Sequence, residues 1–585
     1  MSLKLKKETV CLFLLLLVCS VSGRAQGFLR AEGKKIVNEK GENVLLRGIG
    51  LGGWMLQEGY MLRINKEAQQ HRIRERFETL IGAEQTRQFY ERWLSGHTRK
   101  VDIDSLKAWG FNSVRLPMHY NLYTLPVEKE PVAGQNTWLE KGFAMTDSLL
   151  SWCKANQIYL ILDLHAAPGG QGNDLNISDR DPSKPSLWES KDNQQKTIAL
   201  WKKLAERYAN EPWIAGYDIL NEPNWGFEDL ANDKNGLKEQ KNVPLKELMV
   251  AITKAIREVD QKHIVIIEGN GWGNNYNGIL PPWDNNMVLS FHKYWAYNDQ
   301  ASAAHILKAR DQYNIPVWIG ETGENSNVWY TEAIRLFEKN NIGWAWWPLK
   351  KIGMNNPIQI RSNPDYDQVI SYLNGQGKRP EESVALKGLM KLAQDIRLEN
   401  AVVQRDVIDA MFRQPFSTQA IPFKANKITA NTLLNAVDYD LGINGAAYFD
   451  KDTADYHVST GKNTPGNRGH AYRNDGVDIS KDSGPGYYVS SIEDGEWLQY
   501  TIDVAKKGLY NLKLNIASAG SGKVTLLLNG KPVGKSLQLQ NTGGLEVFAP
   551  VELKGINLPA GRQRLRVLAD QGGFNFSSLQ LQREN

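Results

Sequence analysis

From Val44 to Leu398 the chain alternates short runs of consecutive apolar residues with longer stretches in which apolar positions recur every three or four residues. Unbroken bulky runs predict strands buried on both faces, and the wider spacing predicts helices with one buried face. The runs are Val44–Ile49, Ser113–Pro117, Tyr159–His165, Tyr217–Leu220, Ile264–Glu268, Val288–Tyr294, Val317–Glu321 and Gly343–Trp347. Helical patterns lie at Val101–Trp109, up to Asn156, and at Gln194–Tyr208, Leu245–Val259, Ala303–Tyr313, Thr331–Lys339 and Val384–Leu398. Eight strands alternating with helices over roughly 370 residues predict an α/β fold, a (β/α)8 TIM barrel. A doubly wound open sheet is the competitor, but it gathers polar groups at one switch point, and here nearly every strand ends on them. Gly33–Asn43 reads as a hairpin turning at Lys40-Gly41. The long connections Leu51–Lys100 and Ala166–Gln194 leave the carboxyl ends of strands and are expected to wall a cleft.

After about Ala425 the period changes. Alternating runs such as Trp497–Ile502 and Val524–Leu528, separated by Gly, Asn and Asp, predict an all-β jelly-roll sandwich. The expected layout is a leader at 1–25, a barrel at 28–413, a connection at 414–430 and a sandwich at 431–585. The connection has no Ser/Gly tract, so the domains are expected to pack together.

Lys4, Lys6 and Lys7, the apolar run Val10–Val18 and the small residues of Gly23-Arg24-Ala25 have the form of a secretion signal cleaved near Ala25. The apolar run is about half of the roughly 20 residues a membrane span needs. Cys19 as a lipidated amino terminus is the alternative. Cys11 and Cys19 fall in the leader, so Cys153 is the one mature cysteine, which excludes an internal disulfide and a thiolate metal cluster. Removing the leader takes the formal charge from +5 to about +2, which recommends no nucleic-acid partner. The 18 tryptophans are more telling, because indole faces stack on sugar C–H faces.

Two runs break on carboxylates, Ile219-Leu220-Asn221-Glu222-Pro223 and Trp318-Ile319-Gly320-Glu321. Paired carboxylates across a glycosidic bond can donate a proton and attack or activate water. The strand ends also gather Arg115, His165, His292, Tyr294 and Trp347. These stretches, ordered on the fourth and seventh strands, resemble glycoside hydrolase family 5, a retaining clan of barrel enzymes. The resemblance implies Glu222 as acid/base and Glu321 as nucleophile. Arg115 and Tyr294 would orient Glu321, Asn221 would meet the sugar 2-hydroxyl, His165 and His292 would fix hydroxyls, and Trp347 would floor the sugar site. No metal is expected, since HExxH spacing is missing, and no Gly-x-Ser-x-Gly elbow supports a serine nucleophile.

Arg47–Trp54 and Leu164–Gln171 resemble the β-1,3-glucanase branch of that family; β-1,6-glucan, β-1,4-glucan and mannan stay open. Trp188, Trp225, Trp272, Trp283 and Trp295 are candidate sugar platforms. From Leu434, the stretches Ala436–Asp440, Arg473–Asp478, Gly495–Tyr500 and Gly573–Phe576 resemble carbohydrate-binding module family 6. Such modules commonly hold structural calcium with two glutamates where this chain has Asn435 and Val437, so weak or absent calcium binding is expected. Tyr472, Phe574 and Asn575 are the candidate module ligands, and Trp497 is expected in the core. The expected partner is a β-linked oligo- or polysaccharide. A non-catalytic glycan-binding protein is the alternative class, and the presence of both carboxylates speaks against it.

Overall fold

The computed structural model describes residues 27–453, 471–484 and 486–584. The leader, with Cys11 and Cys19, lies outside the described residues. Among them no helix is long and apolar enough to cross a membrane.

A hairpin of β1 (Arg30–Glu32) and β2 (Lys35–Val37) turns at Gly33-Lys34, earlier than expected. Gly33 takes φ +56°, the left-handed geometry a two-residue turn requires. Lys40-Gly41 forms a second turn, closing the Val37–Asn43 bridge.

Eight parallel strands then close a barrel: β3 (Arg47–Gly50), β4 (Ser113–His119), β5 (Tyr159–Ala166), β6 (Ile214–Asp218), β7 (Ile264–Glu268), β8 (Met287–Lys293), β9 (Val317–Gly323) and β10 (Gly343–Trp347), which pairs back to β3. Around it run α3 (Lys100–Trp109), α4 (Glu140–Ala155), α5 (Lys191–Tyr208), α6 (Val243–Arg257), the single turn α7 (Asn270–Gly273), α8 (Ala304–Tyr313) and α9 (Asn327–Lys339). Leu116, Ile161, Ile219, Trp318, Trp344 and Trp346 are among the barrel residues with no surface left in water. At ~25 cal/mol per Å² of apolar area, this core supplies the main stabilisation. Cys153 is free and buried on α4, where burial pushes its thiol up, as an unreactive packing group requires.

The β3–α3 connection is more than a loop. It carries α1 (Gln70–Ile81) and α2 (Ala83–His97), which with α10 (Pro364–Leu373) and α11 (Glu382–Asp395) bury Phe77, Phe89, Trp93, Tyr366 and Leu389 as a second core. Strand β6 stops at Asp218, four residues before Glu222. Beyond it the backbone alternates between neighbours, Ile219 N–H donating to Ile266 O at 3.1 Å and Asn221 N–H to Leu164 O at 3.1 Å.

The carboxyl-terminal region is a sandwich of two sheets. One is centred on the strands Trp497–Val504 and Gly561–Gln571, the other on Phe574–Arg583 and Gly508–Ser518. Among the described residues, the sandwich is bonded to the barrel at the buried Asn474. Asn474 Nδ2 donates to Asn325 O at 2.8 Å and to Asn327 Oδ1 at 3.0 Å, and its N–H donates to Asp406 Oδ2 at 2.7 Å. Asn327 N–H returns a bond to Asn474 O at 2.7 Å. Asn325 leads into α9 from the loop that follows Glu321, and Asp406 stands on α12 (Arg405–Phe412). Truncating Asn474 to Ala leaves buried partners unsatisfied, at about 1–3 kcal/mol. Denaturant unfolding of Asn474→Ala is expected to lose that much, and a change within 0.3 kcal/mol would show the contact to be dispensable.

Candidate active site

Alternation along a strand sends every second side chain to one face, here into the mouth of the barrel. Arg115 on β4 is the hub. Its buried guanidinium lies 2.5 Å from Glu321 Oε1, 2.8 Å from Asp218 Oδ2, 3.0 Å from Glu268 Oε1 and 3.2 Å from Asp163 Oδ2. It also donates to Asn221 Oδ1 at 2.8 Å, turning the amide nitrogen toward His165 Nε2 at 3.3 Å. Glu321, on β9, accepts from Arg115 through Oε1 and from the Tyr294 hydroxyl through Oε2 at 2.9 Å. Both of its oxygens are thereby aimed.

Glu222 sits at φ +42°, a conformation that costs a non-glycine residue about 1–3 kcal/mol. Its N–H donates to Glu268 Oε2 at 2.7 Å, which holds the strained turn in place. His292 Nδ1 lies 2.6 Å from Glu222 Oε1 and 3.7 Å from Glu321 Oε2, and Nε2 lies 3.2 Å from Glu268 Oε1. One polar atom each from Glu222, His292 and Glu321 all fall within 4.8 Å of one another. One oxygen of each candidate carboxylate therefore lies within 4.8 Å of an oxygen of the other at the barrel mouth.

The charges follow from burial and neighbours. Burial pushes Glu222 up; His292 opposes this, and the Glu321 and Glu268 carboxylates add to it, leaving Glu222 raised. Burial would lower His292, but Glu268, Glu321 and Glu222 outweigh it and hold the imidazole protonated well above its usual range. A protonated imidazole has no lone pair for a metal, so this trio, though it has ligand atoms of the right types, is poorly suited to bind a cation. Glu268 is held down to about 2 against burial by His292, Arg115 and the Glu222 N–H. Glu58 is pushed up to about 7 by burial, against His165 at 3.6 Å. His165 is raised to about 10, since Asp163 at 2.8 Å overcomes its burial.

Removing His292 removes the cation that lowers Glu222. Glu222 then keeps its proton to higher pH, so the alkaline limb of the kcat/KM profile is expected to move up in His292→Ala. A limb that stays in place or moves down would contradict this arrangement.

All eight barrel residues singled out from the sequence therefore meet at one mouth. Glu58, Tyr60, Asp163, Asp218 and Glu268 were not singled out. Asp163 could have been found, because it shares the inward face with His165 two residues on; Asp218 and Glu268 are likewise acids closing apolar runs. Trp347 is 3% exposed, lies parallel to His165 with centroids 5.1 Å apart and donates Nε1–H to Tyr60 at 3.0 Å. Only a narrow part of its ring meets the cleft. Of the five further tryptophans, Trp272 and Trp295 line the cleft of about 630 Å³. Trp188, Trp225 and Trp283 pack instead, against Phe227, under Arg180 and onto Thr253 respectively.

The module candidates need correction. Phe574 is 1% exposed inside the sandwich core, so its ring offers no face to a sugar. Asn575 spends its amide between a strand and a turn, Oδ1 accepting from Ser491 N–H at 3.1 Å and Nδ2 donating to Leu545 O at 2.7 Å. Tyr472 is half-buried and ring-packed against Tyr487 and Phe423, with its hydroxyl on Asp438. Trp497 is not fully in the core: it is half-buried beneath Arg566, 3.4 Å from the ring centroid. Val437 is buried, and Asn435 donates to Asp438 at 2.9 Å, so neither position offers a calcium carboxylate.

A family model described as Cellulase (glycosyl hydrolase family 5) matches residues 74–352, and one described as Carbohydrate binding module (family 6) matches residues 470–583. Among curated proteins, a beta-xylosidase from Phanerodontia chrysosporium is 27% identical over 380 residues, 58% of this chain and 74% of that one. Endoglucanase C from Acetivibrio thermocellus is 28% identical over 297 residues, covering 50% and 68%. A glucan 1,3-beta-glucosidase from Candida oleophila is 28% identical over 198 residues, covering 31% and 43%. The barrel thus carries a glycosyl hydrolase family 5 domain over residues 74–352, followed by a family 6 carbohydrate-binding module over residues 470–583, the domain pair of a glycoside hydrolase.

Proposed function

We propose that this chain, organised as a barrel over 28–413 and a module over 431–585, is a secreted, retaining β-glycosidase acting on β-glucan, with β-1,3-glucan as first substrate. The observation that carries the retaining mechanism is the approach of Glu222 and Glu321 to within 4.8 Å. Glu321 attacks the anomeric carbon from the α face. As that bond forms, the bond to the leaving oxygen breaks and Glu222 gives it a proton. The ester so formed cancels the charge of Glu321, one of the groups that raise Glu222. Glu222 becomes more acidic and serves next as base, taking a proton from water while water attacks the same carbon and Glu321 departs.

Arg115 and Tyr294 keep Glu321 charged and aimed before attack. The second N–H of the Asn221 amide serves the sugar 2-hydroxyl, where a hydrogen bond strengthens in the transition state. Glu58, Tyr60, His165 and the open edge of Trp347 bind the glycone.

Support for β-1,3-glucan comes from the Arg47–Trp54 and Leu164–Gln171 stretches and from the Candida relative. A β-xyloside or a β-1,4-glucan is the second reading, favoured by the names of the other two relatives. A timed product profile on linear β-1,3-glucan, run beside β-1,6-glucan, β-1,4-glucan, mannan and an aryl β-xyloside, tests it. Glucose alone from the β-1,3 chain supports an exo-acting pocket and an oligomer ladder an endo cleft. Turnover of another substrate with none of β-1,3-glucan would replace the substrate and keep the mechanism.

A further inference from the structure

The loop that follows Glu321 reaches the cleft on one side and the module on the other. Its backbone takes φ +133° at Gly323 and φ +52° at Glu324. The second value is left-handed, a conformation that a non-glycine residue keeps only where its surroundings fix it. Glu324 lines the cleft together with Tyr60 and Trp347. Its carboxylate pairs with the buried ammonium of Lys351, on the short strand Lys350–Lys351 just beyond β10. Lys351 in turn lies over the Tyr60 ring, 5.6 Å from its centroid, and the Tyr60 hydroxyl accepts from Trp347 Nε1–H at 3.0 Å. Glu324 therefore stands among the residues assigned to the glycone.

The two-glutamate chemistry gives this carboxylate no task. Glu321 is aimed by Arg115 and Tyr294, and Glu222 is held by His292. Lys351 bonds Glu324 through Oε1, and the Glu324 side chain keeps 22% of its surface, open to the cleft. A carboxylate offers about four lone-pair positions, and sugar hydroxyls donate to it in charge-assisted bonds. One cation behind and free lone pairs in front make a hydroxyl-binding group.

The far side of the same loop is bonded to the module. Asn325, next to Glu324, has no surface in water. Its carbonyl accepts from Asn474 Nδ2 at 2.8 Å, and its N–H donates to the Tyr330 hydroxyl at 3.2 Å. Asn327 is held from both domains, its N–H donating to Asn474 O at 2.7 Å and its Nδ2 to Asp406 Oδ2 at 2.8 Å. Relaxing Glu324 out of its left-handed conformation would swing Asn325 away from these partners. The module thus opposes the motion that would withdraw the carboxylate from the cleft.

We propose that Glu324 binds hydroxyls of the glycone, and that the module positions it through Asn474. This rests on the glycosidase reading and adds to it a substrate-binding carboxylate and a part for the second domain in holding the cleft.

The test compares wild type, Glu324→Asn, Asn474→Ala and the double variant on an aryl β-glycoside carrying the sugar that the wild type releases, each below its unfolding temperature. Asparagine suits the left-handed backbone, and its side chain is too short to keep the contact. Glu324→Asn is expected to lower kcat/KM at least about tenfold, with the loss carried by KM, because a bond made alike in bound substrate and transition state leaves kcat in place. Asn474→Ala is expected to lower kcat/KM about threefold or more, again through KM, and to add nothing in the double variant, since it acts through Glu324. An unchanged KM in Glu324→Asn would remove Glu324 from the glycone site while leaving the two-glutamate mechanism standing. Losses that multiply in the double variant, or wild-type KM in Asn474→Ala, would overturn the part given to the module. A wild type inactive on every aryl β-glycoside and β-linked oligosaccharide would instead remove the glycosidase reading on which both rest.

Discussion

Replacing Glu321 with glycine is expected to lower kcat/KM by ~10⁴-fold or more, about 5.5 kcal/mol of barrier, while binding of the sugar survives. Nothing else at the site can take its place. Glu222 is raised and faces the leaving oxygen, and Glu268, though charged, has its oxygens engaged by Arg115 and the Glu222 N–H. The variant leaves a small cavity beside Arg115 and Tyr294 that had held an anion. Azide is expected to enter it, attack the anomeric carbon of an activated β-glycoside and give the α-glycosyl azide as the leaving group takes its proton from Glu222. In Glu222→Ala the order reverses: Glu321 still forms the ester, and azide entering from the other face gives the β-azide. Both products are read by NMR. Undiminished hydrolysis in Glu321→Gly, or β-azide from that variant, would remove Glu321 from the nucleophile's role.

The second large effect concerns the fold. Arg115→Met is expected to cost at least about 3–5 kcal/mol, because it strips the cation from a buried group of four carboxylates. His165 and His292 are the other cations paired with these acids, and each is already engaged, with Asp163 and with Glu222. Without Arg115 the acids must take up protons or admit water, and either loosens the barrel mouth. Arg115→Lys is expected to recover less than half of the loss, since one ammonium cannot present a planar fork to Glu321, Asp218, Glu268 and Asn221 together. Urea midpoints of the three proteins at neutral pH decide the matter. A loss below about 1 kcal/mol in Arg115→Met would mean that the acids are neutral without Arg115.

The barrel was legible because its strands are buried on both faces and so stand out as unbroken apolar runs, and the two glutamates because each ends such a run. What escaped was of two kinds. Helices α1 and α2 carry the helical spacing, with Ile73, Phe77, Leu80 and Ile81 buried on α1 and Phe89 and Trp93 on α2, but they bury these against α10 and α11, far along the chain. Asp163, Asp218 and Glu268 stand on the inward face or at the end of apolar runs, a local signal of their place, but their convergence on Arg115 from three strands is a tertiary contact. The module shows the converse error. Phe574 and Asn575 matched a family motif, yet one ring closes the core and one amide ties a strand to a turn. A motif names residue types at positions; the packing decides which of them reach a ligand.

The central claim is that Glu222 and Glu321 carry out two displacements at one carbon. The anomeric configuration of the first-formed product, followed by proton NMR in the opening minutes of hydrolysis before mutarotation, tests it most directly. Two inversions predict the β-anomer first, with the α-anomer growing in slowly. The α-anomer appearing first would mean a single displacement by water and would contradict the account.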